Sequence, residues 1–446
     1  MVNLNVNQST VNQGTGIDVT SVVDQIIYAE QAPERIWQQQ QLVLAAQAAS
    51  LNALSSGINA LKDKVLALTD LSGAFSAQTV TSSQPGLVTA SAQSGTPTGV
   101  HSLLIDHLAT VSSYYTDPVA SSSTTLAHGT FKLAVGQASN DITIDSSNDT
   151  LDKLAAYINS NHYGVQASVL SDAGGARLAL VSNTSGLPGD LNVTTNNSGL
   201  VFHKAVAGVN AGFTLDGVPL SSTTNTVTSA LPGVTLNLLG AAPATPVTLT
   251  VAHDTTRITQ AINDFVSAYN SVIGSINSQF KASDQTSAGP LAGNSSLRSL
   301  QNSLLSDVSY AVTGNNGLVN LASLGIDMQN DGTLVVDSTK LNSALSSQFT
   351  DVQSFFQAVN VGGFGDHFSS DLNALTSPTS GLLSLNLAEN TSNQKVLTNQ
   401  ISDFEDRLVF RRQFLINQYS QVDAMLRQYP LLIQQITSQL GTTSSK

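Results

Sequence analysis

The sequence predicts a multidomain α+β protein, with an antiparallel helical, coiled-coil stalk built from both chain ends and β-rich head domains inserted between them. Three observations predict it. Near the N-terminus, Leu51, Leu54, Ile58, Leu61, Val65 and Leu68 recur at alternating spacings of three and four. Near the C-terminus, Leu397, Ile401, Phe404, Leu408, Leu415, Val422, Met425 and Leu432 keep the same register, with Arg411 and Gln418 as polar interruptions. Between these runs the chain is rich in Ser, Thr, Gly and Asn, and its apolar period falls to two. A three-four alternation puts its residues on one stripe of an α-helix, whereas a period of two marks half-buried strands.

Taken in order, the polar residues up to about Gly16 and the segment after them form a flexible, then helical N-terminal end over 1–40. Asp18 or Thr20 can cap a helix whose apolar side begins Val19, Val22, Val23, Ile26, Ile27, and Pro33 should interrupt or kink it. The heptads follow over 41–74, from about Leu42 to Ser72-Gly73. Strands such as Val100–Ile105, Phe213–Leu215, Val234–Leu238 and Val247–Val251 place a β-rich head domain at 75–125 and 200–253. An inserted α+β domain at 126–199 holds strands near Thr130–Val135, Ile142–Ile144, Val165–Val169 and Arg177–Val181, with one helix at Thr150–Asn159. A mixed helical domain at 254–386 opens with the wide apolar face Ile258, Ile262, Phe265, Val266, Tyr269, Val272, Ile273, Ile276. Helices near Leu297–Val308 and Leu341–Phe356 flank a hairpin at Asn330-Asp331-Gly332. A long coiled-coil helix occupies 387–429. Pro430 should kink or break it, which leaves 430–446 as a C-terminal end.

Composition narrows the function. At 446 residues the chain divides into several domains. Only 11% of residues are charged, against about 25% in typical globular proteins. A solvent face of hydroxyls and amides suits secreted β-rich proteins and subunits that pack on copies of themselves. The net charge of −13 argues against nucleic acid and anionic lipid as partners. No run of 18 apolar residues offers membrane insertion, and Met1–Val6 lacks the pattern of a cleaved signal peptide. The absence of cysteine removes disulfides, thiolate metal sites and cysteine nucleophiles together, and fits a chain exported unfolded.

The sequence offers little for catalysis, and neither a catalytic residue nor a cofactor is expected. The seven histidines are scattered, without HExxH or a matching ligand spacing. Asp327–Gly332 partly resembles a calcium loop, but Ser338 stands where the bidentate Glu belongs, and a hairpin turn explains the same residues. Gly362-Gly363-Phe364-Gly365 lacks phosphate-loop spacing and reads as a flexible loop. Assembly is the stronger reading. Leu51 to Leu68 should pack within the chain, against the C-terminal heptads or the Ile258–Ile276 helix. Val19 to Ile27, and Leu432 with Ile436, should stay partly exposed as assembly surfaces. Arg411 and Gln418 either fix the register of the seam or sit at the edge of a wider bundle.

Several stretches resemble one family. They are Gly16–Ile27 with Glu30 and Pro33; Thr150–Asn159 with Gly164–Val169 and Gly174–Leu180; and Phe213–Val218 with Asn225–Val227 and Leu231–Leu236. Leu324-Gly325-Ile326 before Asp331–Leu334, and Arg407-Leu408 with Gln413-Phe414, complete them. Each is weak alone, but they run in the family's order over nearly the full length. Together they resemble the bacterial flagellar filament cap proteins, the hook-associated protein 2 family. Tyr429-Pro430 departs from the continuing polar helix expected there. The resemblance implies a protein secreted through the flagellum that forms a homo-oligomeric ring at the filament tip. There it promotes flagellin folding and insertion and prevents monomer loss, so that the filament elongates and the cell is motile. The implied partners are further copies of itself, flagellin, hook–filament junction proteins and an export chaperone. Two alternatives stand beside this: another axial protein at the hook–filament junction, and an adhesin binding host glycans or mucin.

Overall fold

The computed structural model describes residues 11–12, 16–281, 288–357 and 362–441. The polar segments 1–10, 13–15 and 442–446, on which parts of the two terminal expectations fall, lie outside the described residues. The protein is α+β and forms two compact units, Met1–Thr69 with Ile262–Lys446, and Asp70–Ala261.

The first unit is helical. α1 (Val19–Glu30) is capped by Asp18, whose side chain accepts the Ser21 N–H, and it ends at Gln31. α2 (Ala32–Thr69) then starts with Pro33 as its second residue. The break expected at Pro33 therefore falls two residues earlier, because proline fits the first turn of a helix, where N–H groups are unpaired anyway. On α2 the buried stripe is Leu51, Leu54, Ile58, Leu61, Val65 and Leu68, while Leu42 is exposed. Gly57 lets α2 approach α4 (Thr255–Phe280), since a Cβ there would stand 3.3 Å from a Val272 methyl. Lys64 and Asp264 tie the same pair at 2.9 Å.

α5 is Ser295–Val308. The single helix expected over Leu341–Phe356 is two, α6 (Ser338–Ser347) and α7 (Phe349–Gln357), divided at Gln348. α8 (Phe364–Thr376) was not anticipated. Gly363 is its N-cap residue, so the glycine-rich segment read as a flexible loop in fact opens a helix. Its apolar residues enter an aromatic core. Phe364 stacks on Phe355 at 5.2 Å and meets Phe265 edge-on at 5.9 Å, while Phe368 meets Phe265 edge-on at 5.6 Å. The expected hairpin forms, with Ile326–Met328 antiparallel to Leu334–Val336. Gly332 adopts φ 82° in the turn, and Asp331 accepts the Thr333 N–H and hydroxyl, so a hairpin turn accounts for these residues.

α9 (Leu382–Gly441) is 60 residues long, about 90 Å at 1.5 Å per residue. It starts five residues before the expected 387 and passes through Pro430 without ending, so the predicted break does not occur. Proline deletes one hydrogen bond, the one to the Leu426 carbonyl, and this stretch of helix is exposed, so water can satisfy that oxygen.

The second unit is β-rich, with two cores. One joins a five-stranded antiparallel sheet, in the order Val218–Ser222, Ala211–Leu215, Gly99–His107, Ala242–His253, Gln78–Ser82, to a three-stranded sheet of Thr226–Leu231, Val234–Leu238 and Val88–Ala92. Alternation sends Leu103, Ile105, Phe213, Leu236, Leu249 and Val251 inward. The other core packs α3 (Leu151–Ser160), capped by Thr150, on two sheets that include Gly129–Val135, Ala138–Ile144, Val165–Asp172 and Gly175–Ser185. Val111–Thr116 and Phe202–Val206 also pair into this second region. The boundaries expected at 126 and 199 thus cut between strands of one sheet. Neither missed strand, Val-Ser-Ser-Tyr-Tyr-Thr or Phe-His-Lys-Ala-Val, alternates apolar with polar residues in its sequence, so long-range pairing specifies them.

Phe364 is fully buried against four aromatic rings. Phe364→Ala should destabilise the helical unit by about 3–5 kcal/mol, read from a lower urea midpoint.

Candidate assembly surface on the paired terminal helices

The two chain ends run antiparallel, and their cross-contacts form a ladder. Gln47 accepts from Asn390 at 3.3 Å, and Gln41 donates to Thr398 at 2.9 Å. Trp37 meets the Phe404 ring edge-on at 5.2 Å. Glu30 pairs with Arg411 at 3.3 Å, Asp24 with Arg412 at 2.7 Å, and the Ile17 N–H donates to Asp423 at 2.7 Å. Each step back along the N-terminal segment is matched by a step forward along α9.

Apolar burial holds the ladder. Val23, Ile27, Leu408 and Leu415 form one buried cluster, with Val19, Ile26, Phe404, Ile416 and Tyr419 half-buried against it. Leu397 and Ile401 continue the buried stripe toward α2, and Val22 is half-buried. The α1 face expected to stay open is therefore closed at Val23 and Ile27, because α9 supplies the facing stripe. Arg411 and Gln418 do not lie in the seam. Both are exposed at its edge, where Arg411 reaches Glu30.

Around and beyond Asp423, where Ile17 pairs with the helix, the apolar stripe of α9 continues. Val422, Met425, Leu432 and Ile436 are exposed, at 40, 61, 51 and 54%. Leu426, Tyr429 and Ile433 are exposed beside them. Around the helix, Val396, Phe410 and Phe414 add a second apolar strip, and Phe410 is 77% exposed. A groove of about 550 Å³ between α2 and α9 is lined by Ile36, Val43, Leu44, Val396 and Leu397. Exposed apolar area of this kind marks a surface that another chain covers.

At the open end of the ladder the Arg427 guanidinium, and after it the Ile17 N–H, hold the Asp423 carboxyl below its ordinary value of 3.8. The residues that lock the pairing, Trp37, Asp24, Glu30, Arg412 and Asp423, did not stand out in the sequence. One signal was there: acidic residues on the first helix and a pair of arginines on the last.

A separate polar cluster lies elsewhere in the helical unit. Asp307, His367 and Asp371 place ligand-capable atoms within 4.8 Å of one another. Burial pushes the Asp307 carboxyl up to about 8, and the adjacent Asp371 adds to the shift.

Compared with known proteins, residues 15–112 match the model of the flagellar hook-associated protein 2 N-terminus and residues 208–430 that of its C-terminus. Residues 130–184 match the flagellin hook IN motif. The B-type flagellar hook-associated protein 2 of Pseudomonas aeruginosa is 29% identical over 429 residues, covering 88% of this chain and 89% of that one. Flagellar hook-associated protein 2 of Aeromonas caviae is 28% identical over 455 residues, covering 94% and 95%. The crystal structure of the D1-D2-D3 domains of the Escherichia coli flagellar cap protein FliD matches with a TM-score of 0.57 at 26% identity, covering 76% of this chain and 99% of that one.

The ladder generates three predictions. Val23→Asp, which buries an unpaired carboxylate, should release α1 from α9, seen as faster amide exchange over residues 19–30. Arg412→Glu should cost under about 1 kcal/mol, because both partners of its ion pair are half-exposed. Since Asp423 titrates below its ordinary value, its clamp on Ile17 is intact above about pH 4 and is lost as the pH falls through the depressed value. Amide exchange at Ile17 should accelerate over that interval in the wild type and be fast at every pH in Asp423→Ala, which removes the acceptor, after correction for intrinsic rates.

Proposed function

Because this chain belongs to the flagellar hook-associated protein 2 family, we propose that it caps the distal tip of the bacterial flagellar filament, a structural and non-catalytic role. The observation that carries the reading is the exposed apolar surface of α9, from Phe410 to Ile436, which continues beyond the Ile17–Asp423 contact. The paired ends engage flagellin, and the β-rich unit, which contains the flagellin hook IN motif, contributes contacts between copies of the chain in a ring.

In this reading the mechanism follows from the ladder. Apolar burial along Val23, Ile27, Leu408 and Leu415 keeps each subunit's ends joined, while the uncovered part of α9 trades partners as flagellin subunits enter. A face joined by apolar contact, with few ion pairs, can re-form in successive positions because such contact is non-directional. The chain reaches the tip by export through the flagellum, with an export chaperone covering the same apolar helix beforehand. The junction and adhesin alternatives have no support in the family matched. In the β-rich unit Tyr115 stands alone among exposed aromatic rings, which leaves little for the sugar stacking that the adhesin reading needs.

The test replaces Phe410, Phe414 and Met425 together by Ser. All three are exposed, so the monomer's thermal midpoint should move little. Bacteria carrying only this variant should shed flagellin into the medium and build few or short filaments. Filaments of wild-type length would refute the assignment of α9 as the docking element.

A further inference from the structure

The helical unit buries three ligand-type side chains that capping does not use. His367 and Asp371 are four residues apart on α8, so they share one face of that helix. Asp307 lies in the last turn of α5 and is 1% exposed. His367 Nε2 stands 3.5 Å from Asp307 Oδ1, and Asp307 Oδ2 is buried with no donor from the described residues, beside only the Asp371 carboxyl, with which Asp307 can share a proton.

Three features make this arrangement costly without a ligand. The buried Asp307 carboxyl stands beside that of the half-buried Asp371, so the two can be ionised together only at a cost. Asp307 also sits at a helix C-terminus, the negative end of the helix dipole, which disfavours an anion and favours a cation. The Tyr269 hydroxyl beside Asp307 is fully buried, and among the described residues it likewise has no hydrogen-bond partner. By contrast the imidazole is held in place. Tyr310 stacks on the His367 ring at 4.1 Å and donates its hydroxyl to the Gly362 carbonyl at 3.3 Å.

We propose that Asp307, His367 and Asp371 form a binding site for one divalent first-row transition-metal ion, with zinc the best match. Two carboxylate oxygens and one imidazole nitrogen are a zinc donor set that leaves a fourth position for water. Ligands on a tetrahedral zinc with bonds of 2.0–2.1 Å lie about 3.3 Å apart, close to the observed 3.5 Å between His367 and Asp307. The donor set is too small for calcium, which takes six to eight oxygens. His367 and Asp371 are half-buried, so an ion has a route in from solvent. The bound ion would discharge the carboxyl pair and pin the end of α5 to α8, adding a cross-link to a chain that has no cysteine.

The test uses the full-length chain stripped with chelator and titrated calorimetrically with zinc, and separately with manganese and calcium. The expected result is one zinc or manganese per chain with a raised thermal midpoint, and no heat from calcium. Asp371→Asn and His367→Gln, each shown to be folded by circular dichroism, should weaken that binding at least tenfold. Asp307→Asn, which keeps the shape and removes the charge, should do the same and should not lower the metal-free midpoint. The proposal is overturned if neither metal binds, or if the folded Asp371→Asn and His367→Gln variants bind as well as the wild type, which would place the ion on other histidines.

Discussion

The helical unit depends on one constraint: the first and last helices must bury each other's apolar stripes. α1 is 12 residues long and would be marginal alone in water. Its Val23 and Ile27 are covered only because α9 brings Leu408 and Leu415 against them. Ion pairs at the edge of the seam select the antiparallel register without adding much stability, since Arg411, Arg412 and their partners are half-exposed. The hydrophobic stripe supplies the energy and the charges supply the alignment.

That division of labour suits a subunit that must hold together while its surface exchanges partners. Where α9 faces a partner in its own chain, one apolar stripe is buried, while Phe410 and Phe414 stay exposed on another side of the helix. Beyond the Ile17–Asp423 contact, the same helix exposes Met425, Leu432 and Ile436. One continuous helix thus serves as a core element at one end and as an interaction surface at the other. Passage through Pro430 belongs to the exposed end, where the lost hydrogen bond costs least.

The β-rich unit uses a different device. Its surface is made of hydroxyl and amide side chains, and its two cores rest on alternating aliphatic residues such as Leu103, Ile105, Leu133 and Ile142. In the ring proposed above, low charge would leave contacts between copies free of a desolvation penalty for ions.

The sequence by itself determined the elements whose periodicity is strong: the α2 stripe from Leu51 to Leu68, the α4 face, α3 with its Thr150 cap, and the strands around Leu103, Phe213, Leu236 and Leu249. Local chemistry dictates these, because burial on one face fixes the spacing of apolar residues. Only the tertiary structure decided which face met which. It closed Val23 and Ile27 under α9, moved Arg411 and Gln418 out of the seam, made Gly363 the start of α8, and paired the polar strand Val111–Thr116 with Gly175–Ser185. It also brought Asp307 beside His367 and Asp371, three residues that a linear reading treats as unrelated. Contacts between residues far apart in the chain leave no periodic mark, and these were the features the sequence could not show.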